Sequence, residues 1–437
     1  MNNPKILDLA ALKSKDGLAK ANSIFDGRGI RPDTVQSITS IRPFIHAIAT
    51  GTHPQVKLGK AESLILIGLD SIKFDFANEI FTPDSLSCLT SVFPSTSICA
   101  WPSAVTGKSP EEFRSIGPVF YAREIDALYN ALDDSYRTTS DFIVDPRVTN
   151  KYPMGSKNTM FTDLEGQGFQ TVCINGFYAQ KISRWSQGIQ KDAGRIDISK
   201  SDWSQIVMLP DLIVDSIIED VGNALSARHK GSKSFVWNLV DIDCYIHEHG
   251  YTGELKSALT RLNSYFGQLA AEGHTVVAFA DHGQVPQKIS SYTEGWNKIH
   301  TDEVVRMPSG GAGRVRWSYP HAGKEEELKE KIQALLGDSA MVIHRDELES
   351  LGILPLGENL KSQIGEIITF ALTDDYPLAI HGGGFIYEHG SVTPDEMLVP
   401  LMVYQGAAKE VETRRPPQPK SRKQPAGRPV QSRKLIR

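Results

Sequence analysis

The sequence has few cysteines, no long apolar run and no apolar N-terminal segment. Its four cysteines show no paired spacing, which argues against a fold held together by disulfides. The longest apolar run, residues 64–69, has about six residues, whereas a helix that spans a bilayer needs about 20. The N-terminal sequence Met1-Asn2-Asn3-Pro4-Lys5 carries charge where a secretory signal would need its apolar stretch. We therefore expect a cytoplasmic protein with no membrane partner.

The charge of the chain is distributed unevenly. The net charge is −5, but residues 409–437 contain ten Lys and Arg and only two Glu, so this segment carries about +8. It also contains five prolines. Because it can bury too little apolar surface to offset the entropy of ordering, we expect a basic disordered tail over residues 406–437. One hypothesis is a solvated segment without a partner, and the other is a tether for nucleic acid.

Predicted strands and helices alternate along the rest of the chain, whose composition of 40% hydrophobic and 23% charged residues is typical of globular proteins. Apolar runs predict strands at residues 62–70, 170–174, 234–240, 274–280 and 397–404. Helical patterns occur at residues 97–106, 214–228, 253–272 and 325–336. This order predicts an α/β fold with a mainly parallel sheet and helices on both faces. Residues 1–60 show no comparable strand, and we expect an N-terminal extension there, followed by one domain over residues 61–405.

Asp and His side chains flank four of the predicted strands. They are Asp70, Asp243, His247, Asp281, His282 and His389. The carboxyl ends of parallel strands meet at one edge of a sheet, where such folds bind their ligands. Asp and His are suitable ligands for zinc and other divalent metals. Six ligands, three for each ion, match what a two-metal site for phosphoryl transfer needs.

Each of these signals alone has an ordinary structural explanation. An Asp after a strand and the sequence Asp281-His282-Gly283 are both typical of turns and helix caps. Asp243 and His247 lie four residues apart, which suits two metal ligands on one helix face and equally suits an exposed ion pair. The occurrence of Asp or His at successive strand boundaries favours the metal site.

A segment rich in hydroxyl groups offers a nucleophile. Ser95, Thr96 and Ser97 stand at the predicted start of the helix over residues 97–106. Backbone N–H groups at a helix N-terminus favour phosphate, and a serine there can act as a nucleophile when a metal lowers its pKa. An ordinary helix cap by Ser or Thr explains the same segment.

Taken in order, five motifs resemble the alkaline phosphatase superfamily, and most closely its nucleotide pyrophosphatase/phosphodiesterase branch. The motifs are Gly68-Leu69-Asp70-Ser71, Phe93-Pro94-Ser95-Thr96-Ser97, the Asp243, His247 and Gly250 set, Asp281-His282-Gly283, and His389-Gly390. The resemblance covers about residues 61–405. It implies an alkaline-phosphatase-like catalytic domain, in which we expect an inserted cap at about residues 284–345.

The resemblance also implies a role for each site residue. Asp243, His247 and His389 would hold one metal ion, and Asp70, Asp281 and His282 would hold the other. Ser97 takes the position of the family's nucleophile and would attack phosphorus to give a phospho-enzyme. Water activated at the first ion would then release the phosphate or phosphate ester. The mixed His and Asp ligands favour two zinc ions, with manganese as the alternative.

Two departures from the family pattern concern the substrate. Ala100 stands where nucleotide pyrophosphatases have a phosphate-holding Asn, and Phe113-Arg114 stands where many relatives have His-Gly. We predict a metal-dependent hydrolase of phosphate esters, with a phosphodiesterase favoured over a phosphomonoesterase. A further hypothesis is a compact relative of the phage-defence phosphatases with a PglZ domain. The alternative outside the enzymes is a non-catalytic subunit of such a system that binds nucleic acid or assists assembly.

A segment rich in glycine and arginine lies between Asp281 and His389. Residues 306–319 include Arg314 and Arg316 beside three glycines. Without a strand before it and a helix after it, the segment is a poor phosphate-binding loop. A hairpin within the predicted cap is the favoured interpretation, and contact between one of these arginines and a substrate phosphate is the alternative.

Overall fold

The computed structural model describes residues 6–405, except 114–115, 124–125, 133–134, 138–141, 145–157, 176–183, 200–201, 289–291 and 377–384. The strands of these residues are β1 (Ser23–Ile24), β2 (Gly29–Ile30), β3 (Ser63–Leu69), β4 (Ser85–Thr90), β5 (Val119–Ala122), β6 (Ala127–Asn130), β7 (Ser135–Arg137), β8 (Phe142–Val144), β9 (Phe169–Asn175), β10 (Arg195–Ile198), β11 (Lys233–Val240), β12 (Thr275–Phe279), β13 (Val285–Pro286), β14 (Val305–Ala312), β15 (Val315–Pro320), β16 (Ala340–His344), β17 (Ile367–Ala371), β18 (Tyr387–Glu388) and β19 (Leu398–Gln405).

A seven-stranded sheet with the order β10-β9-β11-β3-β12-β19-β4 contains all five strands that the sequence predicted. Neighbouring strands from β10 to β12 pair in parallel, and β19 runs antiparallel to β12 and to β4. All residues of β3 and β12 are buried, as expected for parallel strands covered on both faces. The predicted α/β class with a mainly parallel sheet is confirmed.

Helices flank this sheet. They are α1 (Lys15–Ala21), α2 (Ile41–Ala49), α3 (Phe74–Ile80), α4 (Ser97–Thr106), α5 (Pro110–Phe113), α6 (Met160–Glu165), α7 (Arg184–Ile189), α8 (Trp203–Ile206), α9 (Pro210–Ser226), α10 (Asp243–His249), α11 (Gly253–Ala271), α12 (Tyr292–Ile299), α13 (Glu325–Leu336), α14 (Glu347–Ser350), α15 (Glu358–Lys361) and α16 (Pro394–Met397). The long helix α9 packs on β11, and α11 packs on β12 and β19.

The ends of two helices follow from local chemistry. The helix α4 ends at Gly107, whose φ of 70° is a left-handed conformation that glycine adopts without a side-chain clash. The helix α11 begins after Thr252, whose side chain accepts a hydrogen bond from the Leu255 N–H. Each of the four predicted helices corresponds to an observed one within a few residues at its ends.

A second, antiparallel sheet has the order β16-β17-β15-β14-β5-β6-β7-β8. Its strands come from two separate stretches of sequence, Val119–Val144 and Val305–Ala371, so it is assembled only in the tertiary structure. The arginine-rich segment forms the predicted hairpin, β14 and β15, at the middle of this sheet. The hairpin and β16 lie within residues 284–345, and the cap boundaries themselves stay predictions.

Residues 6–60 pack on the remainder of the domain. Leu7, Ile41 and Phe44 are fully buried and belong to the same apolar core as β3. The boundary predicted at residue 60 stays a prediction. The predicted tail over residues 406–437 lies outside the described residues. Among the described helices, none is both long enough and apolar enough to cross a membrane.

Candidate metal centre

Three neighbouring parallel strands place three carboxylates side by side. Within the order β11-β3-β12, Val240 pairs with Leu69, and Phe279 pairs with Gly68. The chain leaves these strands into Asp243, Asp70 and Asp281 at the carboxyl edge of the sheet. Strand order, rather than any local sequence feature, therefore creates the cluster.

Site A consists of Asp243, His247 and His389, which offer ligand atoms within 4.8 Å of one another. Asp243 and His247 lie one turn apart on α10, with His247 Nε2 3.1 Å from Asp243 Oδ2. His389 comes from the segment after β18, and its Nε2 lies 3.6 Å from Asp243 Oδ1. The three residues predicted for the first ion thus lie together.

Hydrogen bonds of the imidazole rings leave their ligand atoms directed inward. His247 Nδ1 lies 2.8 Å from the Tyr387 carbonyl oxygen, and His389 Nδ1 lies 2.9 Å from that of Ser95. Because a carbonyl oxygen only accepts, each Nδ1 must carry a proton, and the neutral ring then has its lone pair on Nε2. Metal-binding histidines are oriented in this way.

Site B consists of Asp70, Asp281 and His282, the residues predicted for the second ion. His282 Nε2 lies 3.2 Å from Asp281 Oδ2 and 3.7 Å from Asp70 Oδ1. The ligand atoms that lie within 4.8 Å of one another here belong to Asp70, Asp243 and His282. Asp243 therefore lies between the two sites, an arrangement that the sequence did not predict. Asp281 adjoins the group and uses its Oδ1 to accept the N–H groups of Ser71 and His282.

Ser97 is the hydroxyl that faces site B. Its Oγ lies 3.2 Å from His282 Nε2 and 3.3 Å from Asp70 Oδ1, at the first residue of α4. Ser95 instead donates its hydroxyl to the Ser391 carbonyl oxygen. Trp101, one turn further along α4, donates its indole N–H to Asp70 Oδ2 and lies against Gly68.

Burial and mutual charge set the pKa values at site A. Burial alone lowers the pKa of His247, but the carboxylates of Asp243 and Glu388 raise it to about 10. Burial raises the pKa of Asp243, and the imidazoles of His247, His389 and His282 outweigh this and lower it well below its usual value. The two carboxylates thus stabilise positive charge at His247, whereas burial and the neighbouring His282 imidazole lower the pKa of His389 to about 3 and keep that ring neutral.

At site B, burial is the largest influence on both titratable groups. It raises the pKa of Asp281 to about 7, with a further contribution from the negative charge of Asp243. It lowers the pKa of His282 to about 4, so this ring is neutral near pH 7. Buried carboxylates beside a neutral imidazole lack the countercharge that would stabilise their ionised forms.

Three residues to which the sequence analysis gave no role connect the two sites. Gln284 donates its amide to Asp243 Oδ1 at 2.6 Å, and Ser71 donates its hydroxyl to the same oxygen. Tyr251 donates to the Ser71 carbonyl oxygen and accepts the Gln284 N–H. Ser71 has a φ of 66°, an uncommon conformation for a residue with a side chain and one that clusters at functional sites. Ser71 stands within the first motif, and Tyr251 and Gln284 each directly follow a motif residue.

The arginine-rich hairpin does not bring Arg314 to the ligand atoms. Arg314 is fully buried and directs its guanidinium to the Glu396 carboxylate and to the Thr373 carbonyl oxygen. The alternative that Arg314 contacts a substrate phosphate therefore receives no support.

The donor set fits two divalent cations. Asp281 Oδ2 is buried and accepts no hydrogen bond from the described residues, although His282 Nε2 lies 3.2 Å away, so this oxygen is available to a cation. Neutral imidazole nitrogen and carboxylate oxygen together suit zinc, and also manganese. Asp243, His247 and His389 would hold one ion, and Asp70, Asp281 and His282 would hold the other.

Comparisons with known proteins identify the class that this fold and site define. A family model described as type I phosphodiesterase / nucleotide pyrophosphatase matches residues 76–399. The chain belongs to this family, which is part of the alkaline phosphatase superfamily, and is therefore a phosphoric ester hydrolase. The family predicted from the five motifs is confirmed. A comparison with curated proteins gives no match.

Two solved structures show the same fold at low sequence identity. Murine ectonucleotide pyrophosphatase / phosphodiesterase 5, in an inactive form in complex with AMP, has a TM-score of 0.53 and 11% identity, covering 78% of this chain and 87% of that chain. Phosphonoacetate hydrolase from Sinorhizobium meliloti 1021, in complex with phosphonoformate, has a TM-score of 0.53 and 15% identity, covering 79% of this chain and 90% of that chain.

Proposed function

We propose that this protein is a phosphodiesterase that uses Ser97 as its nucleophile and two divalent metal ions, with zinc favoured over manganese. The observation that carries the proposal is the position of Ser97 Oγ, 3.2 Å from His282 Nε2 and 3.3 Å from Asp70 Oδ1. A serine hydroxyl at that distance from two metal-ligand candidates is placed to lose its proton and attack phosphorus. Site A adjoins site B, because the ligand atoms of Asp243 lie within 4.8 Å of those of Asp70 and His282 as well.

The chain's own groups supply orientation and a water-poor environment. Ser97 is 6% exposed and begins α4, so backbone N–H groups of the first turn face a phosphate bound there. Two bound ions would neutralise the phosphate charge and stabilise the entering and leaving oxygens. Trp101 and the main-chain bonds of His247 and His389 hold the surrounding side chains in place. In-line transfer needs this positioning more than it needs a strong base.

The family description and the AMP-bound structural neighbour support a nucleotide-containing diester as substrate. Ala100 stands where nucleotide pyrophosphatases have an Asn whose amide holds the phosphate. We therefore expect this protein to hydrolyse a broad range of diesters rather than to select nucleotides. A panel of bis(p-nitrophenyl) phosphate, p-nitrophenyl phosphate, an AMP ester and phosphonoacetate distinguishes diesterase, monoesterase and phosphonate hydrolase. The proposal requires the diester to give the highest kcat/KM.

Ser97→Ala tests the nucleophile. We expect it to lower kcat by about 10³-fold or more, with zinc content and melting temperature unchanged, because a small hydroxyl is lost and no ligand is. Ser103→Ala is the matched control, since Ser103 is a buried serine on the same helix whose hydroxyl donates only to the Cys99 carbonyl oxygen. Undiminished activity of Ser97→Ala would overturn the assignment.

A further inference from the structure

The turn of the β14–β15 hairpin, residues 312–315, contacts the backbone of the His389 segment. The Arg314 N–H donates to the His389 carbonyl oxygen at 2.8 Å. A Cβ atom on Gly313 would lie 2.2 Å from that same oxygen, and one on Gly390 would lie 2.0 Å from the Ala312 oxygen. Only glycine permits so close an approach. The two glycines therefore allow the hairpin turn and the segment that contains His389 to pack in direct backbone contact.

A buried ion pair fastens this contact. Arg314 and Glu396 have side chains that are 1% and 0% exposed, and Arg314 Nε lies 3.2 Å from Glu396 Oε1. The same carboxylate accepts the Ser391 N–H at 2.9 Å and the Thr393 hydroxyl at 2.6 Å. Glu396 thus joins the hairpin turn to the residues that follow His389.

On its other side, the segment that contains His389 is hydrogen-bonded to Ser95, which lies two residues before Ser97. Besides the bond from His389 Nδ1 to the Ser95 carbonyl oxygen, the Ser95 hydroxyl donates to the Ser391 carbonyl oxygen at 2.7 Å. Ser95 also forms an isolated β-bridge with Gly390. His389 therefore lies between the hairpin turn and the residue two positions before Ser97.

We propose that Arg314 is a positioning residue for site A: through Glu396 and the hairpin turn, it sets the place of His389 and thereby the affinity of site A for its ion. This inference rests on the proposed function. Apolar residues of similar volume often stabilise a fold as well as a buried ion pair does, so stability alone does not account for this one. The directional hydrogen bonds of the Arg314–Glu396 pair can instead hold His389 in one position.

The test is a zinc titration of the chelator-treated full chain by calorimetry. Arg314→Met combined with Glu396→Gln removes both charges together, so no lone buried charge remains to unfold the protein. We expect two binding steps, as in the wild type, with the affinity of one step lowered about 10- to 100-fold and the other unchanged. The single variant Arg314→Lys keeps the positive charge and should therefore lose less zinc affinity than the double variant.

The matched control is Arg306→Met with Glu366→Gln. Arg306 pairs with Glu366 at 3.1 Å and lies on the same hairpin, away from its turn. This variant should bind zinc as the wild type does, even if its melting temperature falls. If the Arg314 variant and this control change zinc binding equally, Arg314 has only a structural role.

Ser391→Ala is a milder second variant, because it removes one hydroxyl bond to the Ala371 carbonyl oxygen of β17 and little volume. It should weaken the same binding step, by a smaller factor. Unchanged zinc binding in both this variant and the Arg314 variant would overturn the inference. A wild type that binds no zinc or manganese would instead overturn the proposed function, so the two failures are distinguishable.

Discussion

Asp281 shows how one residue can lower the stability of the metal-free chain while serving the bound ion. Its carboxylate is fully buried, and burial together with the charge of Asp243 raises its pKa to about 7. Near neutral pH, part of the population therefore carries like charges close together at a buried position. A bound cation would neutralise the repulsion between the carboxylates of Asp281 and Asp243, so the position that destabilises the metal-free chain suits a metal ligand.

Asp281→Asn should separate these two effects. We expect the variant to bind one ion fewer, because an amide is a poor ligand for zinc, while its metal-free form melts no lower than the metal-free wild type. Elemental analysis gives the ion content, and calorimetry after chelation gives the melting temperature. Two tightly bound ions in the variant would show that Asp281 is not a ligand.

Asp33, which is not one of the metal-ligand candidates, provides a pH-dependent contribution to stability. Burial raises its pKa, but hydrogen bonds from the Asn22 amide and from the Gln36 and Val35 N–H groups outweigh this and lower it from 3.8 to about 2. Because the folded-state pKa is depressed, the stabilisation is complete above about pH 3.8 and is lost as the pH falls toward 2. Asp33→Asn should lower stability at pH 6 and flatten its decline below pH 4.

Urea unfolding at pH 6, 4 and 3 measures this effect. Asp75→Asn is a suitable comparison, because Asp75 is a half-exposed carboxylate paired only with Lys15. A parallel decline of wild type and Asp33→Asn below pH 4 would contradict the assignment.

At the scale of elements, the helix α11 depends on one side chain for its start. Thr252 Oγ1 accepts the Leu255 N–H at 3.1 Å and also lies 2.7 Å from the Tyr245 hydroxyl. Thr252→Ala should lower the free energy of unfolding by about 1–2 kcal/mol, because an N–H of the first turn loses its acceptor. Ser257→Ala, on the exposed face of the same helix, should change it by less than about 0.5 kcal/mol. Equal effects of the two substitutions in urea unfolding would contradict this account.

The elements differ in how well local sequence predicts them. The strand β3 and the helix α4 were predicted within one residue, since a short apolar run and a glycine stop are local signals. The second sheet was not predicted as one unit. Its strands β5 and β14 pair across about 190 residues of chain, and no local pattern indicates which strands will become neighbours.

At the scale of the whole molecule, we propose that the basic segment from Lys409 onward binds nucleic acid. Its charge of about +8 contrasts with about −13 for the residues before it. Truncation after Gly406 should weaken binding to single-stranded DNA at low salt, and leave hydrolysis of a small chromogenic diester unchanged. Full-length binding should fall steeply with salt through counterion release.

A full-length variant with every Lys and Arg after Gly406 replaced by Gln is the matched control for tail length. It should bind as weakly as the truncated chain, because charge rather than length supplies the affinity. Equal DNA affinity of truncated and wild-type chains would refute the tether. Loss of diester hydrolysis on truncation would show that the segment contributes to the catalytic domain.

The sequence by itself determined the parallel-sheet class, the family and the set of residues that flank strand ends. These features are local: apolar runs, glycine stops and short motifs keep their meaning wherever the chain goes. Asp70, Asp243, Asp281 and Ser97 could therefore be singled out before their distances were known.

Only the tertiary structure decided how these residues relate to one another. The order β11-β3-β12 brings Asp243, Asp70 and Asp281 to one edge of the sheet, and the ligand atoms of Asp243 lie close to those of both sites. Ser95 turns its hydroxyl to Ser391, whereas Ser97 faces His282. The contact of Arg314 with the His389 segment likewise joins residues about 75 positions apart. Such contacts depend on which distant strands pair, and this is settled by the packing of the whole core rather than by any short stretch of chain.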